Sequence, residues 1–349
     1  MANPLLISPW TGTASFKTNA EPRLFNYLYH YYEGLVNRSI NKTDTPIEFQ
    51  VCEHLTDNPK AKEDVMTIDS DLPLVIFHPE GDARYFHYDR LLKYGNLVSC
   101  NYTWEGVNYF PYWAYDYRNN IKSRNIPLNK ATDLKAKYLC FNGRPDWHRY
   151  YMLQLLHNND LVNKGLISFL NRYDNYENLQ HISVFHKVAA GIDTKFVDSM
   201  IEAKLDIVLD KTTAQLSKDD RSHDPNLFKD TSISLVTETY AEAWRGLFIT
   251  EKSWRPFAHM HIPVWIAQPG IIQHFRDYGF DTFDDIIDNR YDTYMNDISR
   301  FNEAIKALNG LLNRMHNLPQ DDILLRLHKN QEKYMAMKIT EEEVKKWFE

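Results

Sequence analysis

Two stretches of this sequence gather cations where a strand-like run gives way to a helix-like one. The first is Asn142-Gly143-Arg144-Pro145-Asp146-Trp147-His148-Arg149, which follows the apolar run ending at Phe141. A glycine, a proline close to a helix start and two arginines suit an anion held at a helix N-terminus, where unpaired N–H groups and the helix dipole favour negative charge. The second is Phe248-Ile249-Thr250-Glu251-Lys252-Ser253-Trp254-Arg255-Pro256, where an apolar run stops at Thr-Glu-Lys and a helix begins. If the runs before them are parallel strands, both turns lie at carboxyl ends, the place where open α/β sheets bind ligands. An ion pair internal to the protein, such as Arg149 with Glu251, would explain each pattern about as well as an anion site.

Other features bound this chemistry. The chain lacks Gly-x-Gly-x-x-Gly, Walker A, His-Glu-x-x-His and Gly-x-Ser-x-Gly, so dehydrogenase, P-loop, zincin and α/β-hydrolase readings lose their main warrants. With 12 glycines in 349 residues, a phosphate must be met by side-chain cations rather than by a glycine-rich loop. Forty basic residues against 47 acidic give a net charge of -7, so the protein as a whole has no electrostatic affinity for nucleic acid or for an anionic membrane. Arg118 to Arg149 breaks that trend: eight basic residues against two acidic give +6, which reads either as a solvated linker or as an anion-facing stretch. Just before it, the aromatic cluster from Tyr109 to Tyr117 reads either as a plug between domains or as a stacking surface for a sugar or base.

The elements that must position these turns follow from short apolar runs. Pro46 to Cys52, Leu72 to His78 and Asn96 to Tyr102 predict buried parallel strands, with a crossover helix between the last two and an earlier helix over Pro22 to Val36. Asn119 to Thr132 is polar, contains Pro127 and lacks periodicity, which places a linker there. Beyond it, strands are predicted over Ala136 to Asn142, Gly165 to Leu170, Ser232 to Thr239 and Ile262 to Gln268. Helices are predicted over His148 to Leu161, through Ser253 to Met260, and over Gly270 to Phe280 with a stop at Gly279. Such alternation implies a parallel sheet covered by helices on both faces. From about Asn296 the pattern is helical, with Phe301, Ile305, Leu308, Leu312 and Met315 on one face and a capping box at Thr340 and Glu343. The expected division is residues 1–130, 131–295 and a helical tail over 296–349.

The run SLVTETYAEAWRGLFITEKSWRPFAHMHIPVWIAQPG resembles the donor-binding region of the fucosyltransferase-like family-10 glycosyltransferases, which carry a Glu-containing strand, a Thr/Ser-Glu-Lys turn, a helix and a Pro-Val strand. It resembles still more closely the glycosyltransferase-like proteins of tailed phages, in which FNGRPDWHRYYMLQLLHNNDLVNKGLISF also has a counterpart. The similarity spans roughly Lys137 to Asp292, and the first 130 residues carry no matching motif. The resemblance implies a GT-B fold, two Rossmann-like domains with parallel sheets facing across a cleft, the C-terminal one holding a nucleotide sugar. It implies that Lys252 and Arg144 or Arg149 contact the diphosphate at the Asn142 turn, that Glu251 binds the ribose hydroxyls, and that Glu238 lines the sugar or ribose pocket. Arg255 stands where the phage relatives often have Lys and would add a further cation. Lys252→Ala and Arg149→Ala should then each remove most transfer and leave the fold intact.

The implied activity is an inverting, metal-independent transfer from a nucleotide-sugar donor, with no further cofactor, to a hydroxyl acceptor. A hydroxymethylated base in phage DNA leads the candidates, a glycan is the alternative, and a non-catalytic sugar-nucleotide or carbohydrate binder is a third reading. Inverting transfer needs a general base from the N-terminal domain, where Glu53, Glu80 and Asp82 follow predicted strands. Asp69-Ser70-Asp71 matches the metal signature of the other glycosyltransferase fold but precedes a strand and reads as a solvated turn. His259 and His261 read as satisfied residues rather than metal ligands. No apolar run reaches the length of a membrane span. No signal sequence is read at the start, and the three cysteines are far apart. The expected location is therefore the cytoplasm, that of the host if the protein is phage-encoded.

Overall fold

The computed structural model describes residues 111–123, 125–143, 146–169, 224–243 and 247–338, together with backbone strands at 6–9, 48–51, 74–78, 96–99, 102–103 and 107–109. The chain divides into two compact units, Met1–Tyr112 with Lys338–Glu349, and Trp113–Met337. The predicted helices over Pro22 to Val36 and between His78 and Asn96 lie outside the described residues, as does the capping box at Thr340 and Glu343.

The first unit holds strands β1 (Leu6–Pro9), β2 (Glu48–Val51), β3 (Leu74–His78), β4 (Asn96–Ser99), the two-residue β5 (Tyr102–Thr103) and β6 (Val107–Tyr109). Five of them form one parallel sheet in the order β1-β2-β3-β4-β6, with Phe49 opposite Val75 and Phe77 opposite Val98. The three apolar runs read from the sequence are three of these strands.

The second unit opens with helix α1 (Tyr112–Ser123), where the sequence reading had an aromatic cluster followed by a linker. Its buried positions Ala114, Tyr115, Tyr117, Arg118 and Ile121 include pairs at three- and four-residue spacing, a helical stripe that the density of aromatic residues obscures. A four-stranded parallel sheet follows, built from β7 (Tyr138–Asn142), β8 (Gly165–Phe169), β9 (Ile233–Thr237) and β11 (Ile262–Ile266), with the short β10 (Leu247–Phe248) between the last two in the chain. These strands are near-continuous apolar runs, as expected where both faces are covered. β9 and β11 are buried at every position.

Helix α2 (Trp147–Asn158) follows β7, the single turn α3 (Asn226–Lys229) precedes β9, and α4 (Glu251–Ala258) leads into β11. Then come α5 (Ile271–Asp277), α6 (Asp297–Arg314) and α7 (Gln320–Ala336). Gly279 ends α5 with φ +73, a left-handed conformation in which glycine avoids the clash of a Cβ. At Gly165 the reason is space: a Cβ there would lie 2.2 Å from the Tyr138 ring.

Trp254, Phe257, Trp265, Phe275 and Phe280 form a buried aromatic cluster, with Trp265 stacked on Phe275 at 5.4 Å and Phe257 on Phe280 at 4.3 Å. Burial of side chains this large stabilises by roughly 1.5–3 kcal/mol each. Phe301, Ile305, Leu308, Leu312 and Met315 are all buried, so α6 is held by its predicted face; it packs on β11, and α7 packs on α4. Both helices lie within the second unit.

The sheet order is β11-β9-β7-β8. The chain therefore starts in the interior at β7, adds β8 on one side, and returns to add β9 and β11 on the other. This is the order in which right-handed crossovers send the connections leaving β7 and β9 apart, the switch point beside which open α/β sheets bind ligands. Both sequence-predicted turns belong to elements around that switch point.

Candidate functional site

Glu238, the residue directly after β9, is the node of this region. It is fully buried, and each of its polar atoms is engaged. Oε1 accepts from the Thr250 backbone N–H at 2.9 Å and the Ser253 hydroxyl at 2.7 Å. Oε2 accepts from the Thr250 hydroxyl at 2.7 Å and the Thr239 backbone N–H at 2.9 Å. A carboxylate offers about four lone-pair sites, so these four donors fill it. The backbone carbonyl accepts from His148 Nε2 at 2.9 Å and Arg149 NH2 at 3.2 Å, and the backbone N–H donates to Ile266. The expectation that Glu238 lines a sugar or ribose pocket meets a side chain with no remaining acceptor site.

The α2 corner lies beneath this node. Arg149 is 2% exposed, and its guanidinium reaches Asp146 at 2.9 Å as well as the Glu238 carbonyl. The internal ion pair considered in the sequence, Arg149 with Glu251, is replaced by this i,i+3 pair within one turn. His148 is buried with it, and burial, reinforced by the Arg149 charge, pushes its pKa down to about 4. The imidazole is therefore neutral near pH 7 and donates to the Glu238 carbonyl.

Asn142 ends β7 with no exposure and ties three strands together. Its amide donates to the Ser168 carbonyl at 3.1 Å on β8 and accepts from the Thr237 hydroxyl at 2.7 Å on β9. Asn142 thus braces the sheet at the carboxyl end of β7. Arg144 lies outside the described residues.

The α4 corner is the more open one. Thr250 is the N-cap, and its hydroxyl accepts from the backbone N–H of Lys252, a role that Thr in this position supplies by geometry. The Lys252 ammonium reaches Glu251 at 2.9 Å, the Thr250 hydroxyl at 3.2 Å and the Thr239 hydroxyl at 3.3 Å, while 28% of its side chain stays exposed. Glu251 also pairs with Arg255 at 3.4 Å. Burial raises the Glu251 pKa, but the neighbouring Lys252 and Arg255 charges outweigh it and hold the carboxyl down at about 2. Arg255 has an 11% exposed side chain, and its guanidinium lies 5.5 Å from the centroid of the Tyr117 ring. It faces α1 as well as Glu251.

The structure therefore brings Asn142, Arg149, Glu238, Glu251, Lys252 and Arg255 to the carboxyl side of one sheet. Glu53, Glu80 and Asp82 lie outside the described residues, as do Asp69 and Asp71. The sequence reading missed Thr250 and Ser253 as ligands of Glu238, and His148 as a donor to its carbonyl. The signal was present, since a threonine just before an amphipathic run marks an N-cap. His259 and His261 are buried and engaged within the core: His259 bonds Tyr117 and stacks on Phe228 at 4.0 Å, and His261 bonds Ser234 and the Phe228 carbonyl. Tyr115 and Tyr117 are buried, so this part of the aromatic cluster packs rather than presenting a stacking face. The basic run does not form one surface either, because Arg118 and Arg149 are both buried, Arg118 against the Met337 carbonyl.

No family model matches the chain, and no curated protein matches it. Among solved structures the chain is similar to the Glycosylation Associate Protein (Gap123) complex from Streptococcus agalactiae, with 12% identity and a TM-score of 0.32 over 90% of this chain. The chain spans 56% of the length of that protein. No helix among the described residues is long and apolar enough to cross a membrane.

Proposed function

We propose that this protein is a nucleotide-sugar-dependent glycosyltransferase of GT-B architecture, in which the Trp113–Met337 unit binds the donor and the Met1–Tyr112 unit supplies the acceptor side. The observation that carries the reading is the meeting of both cationic turns on one residue, Glu238, at the topological switch point of a parallel sheet. Lys252, whose side chain is 28% exposed, faces the diphosphate; Arg149 supplies fixed positive charge beneath it. Glu251, ionised and oriented by two cations, accepts from the ribose hydroxyls, and Arg255 steadies Glu251.

Departure of a nucleoside diphosphate builds negative charge on the leaving phosphate. Cations already fixed in place favour that charge more than they favour the intact donor, which lowers the barrier rather than merely tightening binding. A carboxylate among Glu53, Glu80 and Asp82 takes the proton of the attacking hydroxyl, giving inversion at the sugar carbon. No divalent ion is needed for leaving-group neutralisation in this scheme.

A hydroxymethylated base in DNA is the leading acceptor. A glycan acceptor is the second reading, favoured by the burial of Arg118 and Arg149, which removes two cations from the stretch that would have tracked a polynucleotide. The protein is to be incubated with a panel of nucleotide sugars and either hydroxymethylated DNA or a glycan, with nucleosides and oligosaccharides read by mass spectrometry. Sugar transfer that disappears in Lys252→Ala supports the proposal. Donor affinity with neither transfer nor donor hydrolysis would make the protein a sugar-nucleotide binder instead.

A further inference from the structure

We propose that Glu238 is a positioning residue that sets the Lys252 ammonium through the hydroxyl of Thr250, and that no ligand touches its carboxylate. The argument is one of hydrogen-bond capacity. The four acceptor sites of the carboxylate are filled by Thr239, Thr250 twice and Ser253, all within the protein. A hydroxyl has one proton to give, and that of Thr250 goes to Glu238 at 2.7 Å. Its lone pairs are thereby turned toward Lys252, accepting from the backbone N–H at 3.4 Å and from Nζ at 3.2 Å. The relay runs from a buried carboxylate, through one committed hydroxyl, to the most exposed cation of the site. On its other side the Glu238 carbonyl accepts from His148 and Arg149, so the same residue registers the α2 turn against the α4 turn. The consequence for turnover rests on the donor-site reading above; the coupling of Glu238 to Lys252 does not.

Glu238→Gln preserves size but sets an NH2 against the donors of one oxygen position, so in either amide orientation the Thr250 backbone N–H or the Thr250 hydroxyl loses its acceptor. Thr250→Val removes the hydroxyl from the relay and leaves the carboxylate in place, and Thr250→Ser restores it. The test is competitive acetylation of all lysines with acetic anhydride in the full chain, read peptide by peptide by mass spectrometry. Lys306, whose side chain is 65% exposed, serves as the internal standard. Lys252 should react several-fold faster in Glu238→Gln and Thr250→Val than in the wild type, and at the wild-type rate in Thr250→Ser. Should Glu238→Gln fail to fold, the Thr250 pair decides alone. Unchanged Lys252 labelling in Thr250→Val overturns the relay. In a transfer assay Thr250→Val should lower kcat more than it raises KM, with rescue by Thr250→Ser. A wild-type protein that neither binds nor hydrolyses any nucleotide sugar would refute the donor-site reading and leave the labelling result standing.

Discussion

At the corner that opens α2 the cation is buried, whereas at the corner that opens α4 its side chain is partly exposed. Both turns combine an acid, a cation and a helix start. Arg149 is 2% exposed and bound on two sides, while the Lys252 side chain is 28% exposed and held by three oxygens. A buried guanidinium whose donors meet a carboxylate and a carbonyl is part of the fold's polar framework. A tethered but exposed ammonium can exchange an internal acceptor for a ligand's phosphate oxygen. Positive charge thus serves the polar framework at one corner and, in the proposed function, meets the ligand at the other.

The largest effect should come from Lys252→Ala, which removes the accessible cation: transfer falls by about a hundredfold or more, the scale seen when a single charge-stabilising donor is lost, with the melting temperature little changed. Retained turnover would erase the functional difference between the corners. Arg149→Ala should be next, and mainly in stability. It strips the Glu238 carbonyl of a buried partner at a cost of about 1–3 kcal/mol, measurable by denaturant unfolding. The sequence-based expectation for this variant is loss of most transfer with an intact fold, and the burial of the arginine adds this cost in stability.

Acidification should sharpen the comparison further. Burial pushes the pKa of His148 at the α2 corner and of His261 in the core down to about 4, and half-buried His274 on α5 is lowered to the same value. Because the unfolded histidines take up protons near 6.5, the folded state loses stability as pH falls from about 6.5 toward 4. Glu251 at the α4 corner adds its loss only below its unfolded value near 4.5, down to about 2. Thermal unfolding followed at pH 7, 5.5 and 4 should show a falling midpoint across all three, and a flat profile would contradict the burial of these imidazoles. The smallest effect belongs to Arg290→Ala, whose side chain is 83% exposed and pairs with the equally local Asp288: no measurable change in melting temperature or activity.

Much of the second unit was legible in the sequence because its strands are continuous apolar runs and its helices keep a three- to four-residue stripe. β7, β8, β9 and β11 fall inside the predicted runs, and Gly279 stops α5 as expected. Helix α1 was not legible, since its buried stripe includes Arg118 and is crowded by aromatic residues on other faces. The types of residue at the two turns were legible as cation-rich strand ends. Their division of labour was not, because exposure and partner choice depend on contacts between residues far apart in the chain, such as Arg149 with Glu238 and Asn142 with Ser168.

By itself the sequence determined β7, β8, β9 and β11, helices α2, α4 and α5, and that cations follow two of the strands, since periodicity and turn chemistry act locally. Only the tertiary structure decided that β7 and β9 are neighbours and that both turns meet on Glu238. It also decided that the carboxylate of this residue meets four donors within the protein while the side chain of Lys252 keeps 28% of its surface exposed. The reason is that strand order and burial arise from long-range packing, which fixes how many donors surround an oxygen and whether water can reach a charge.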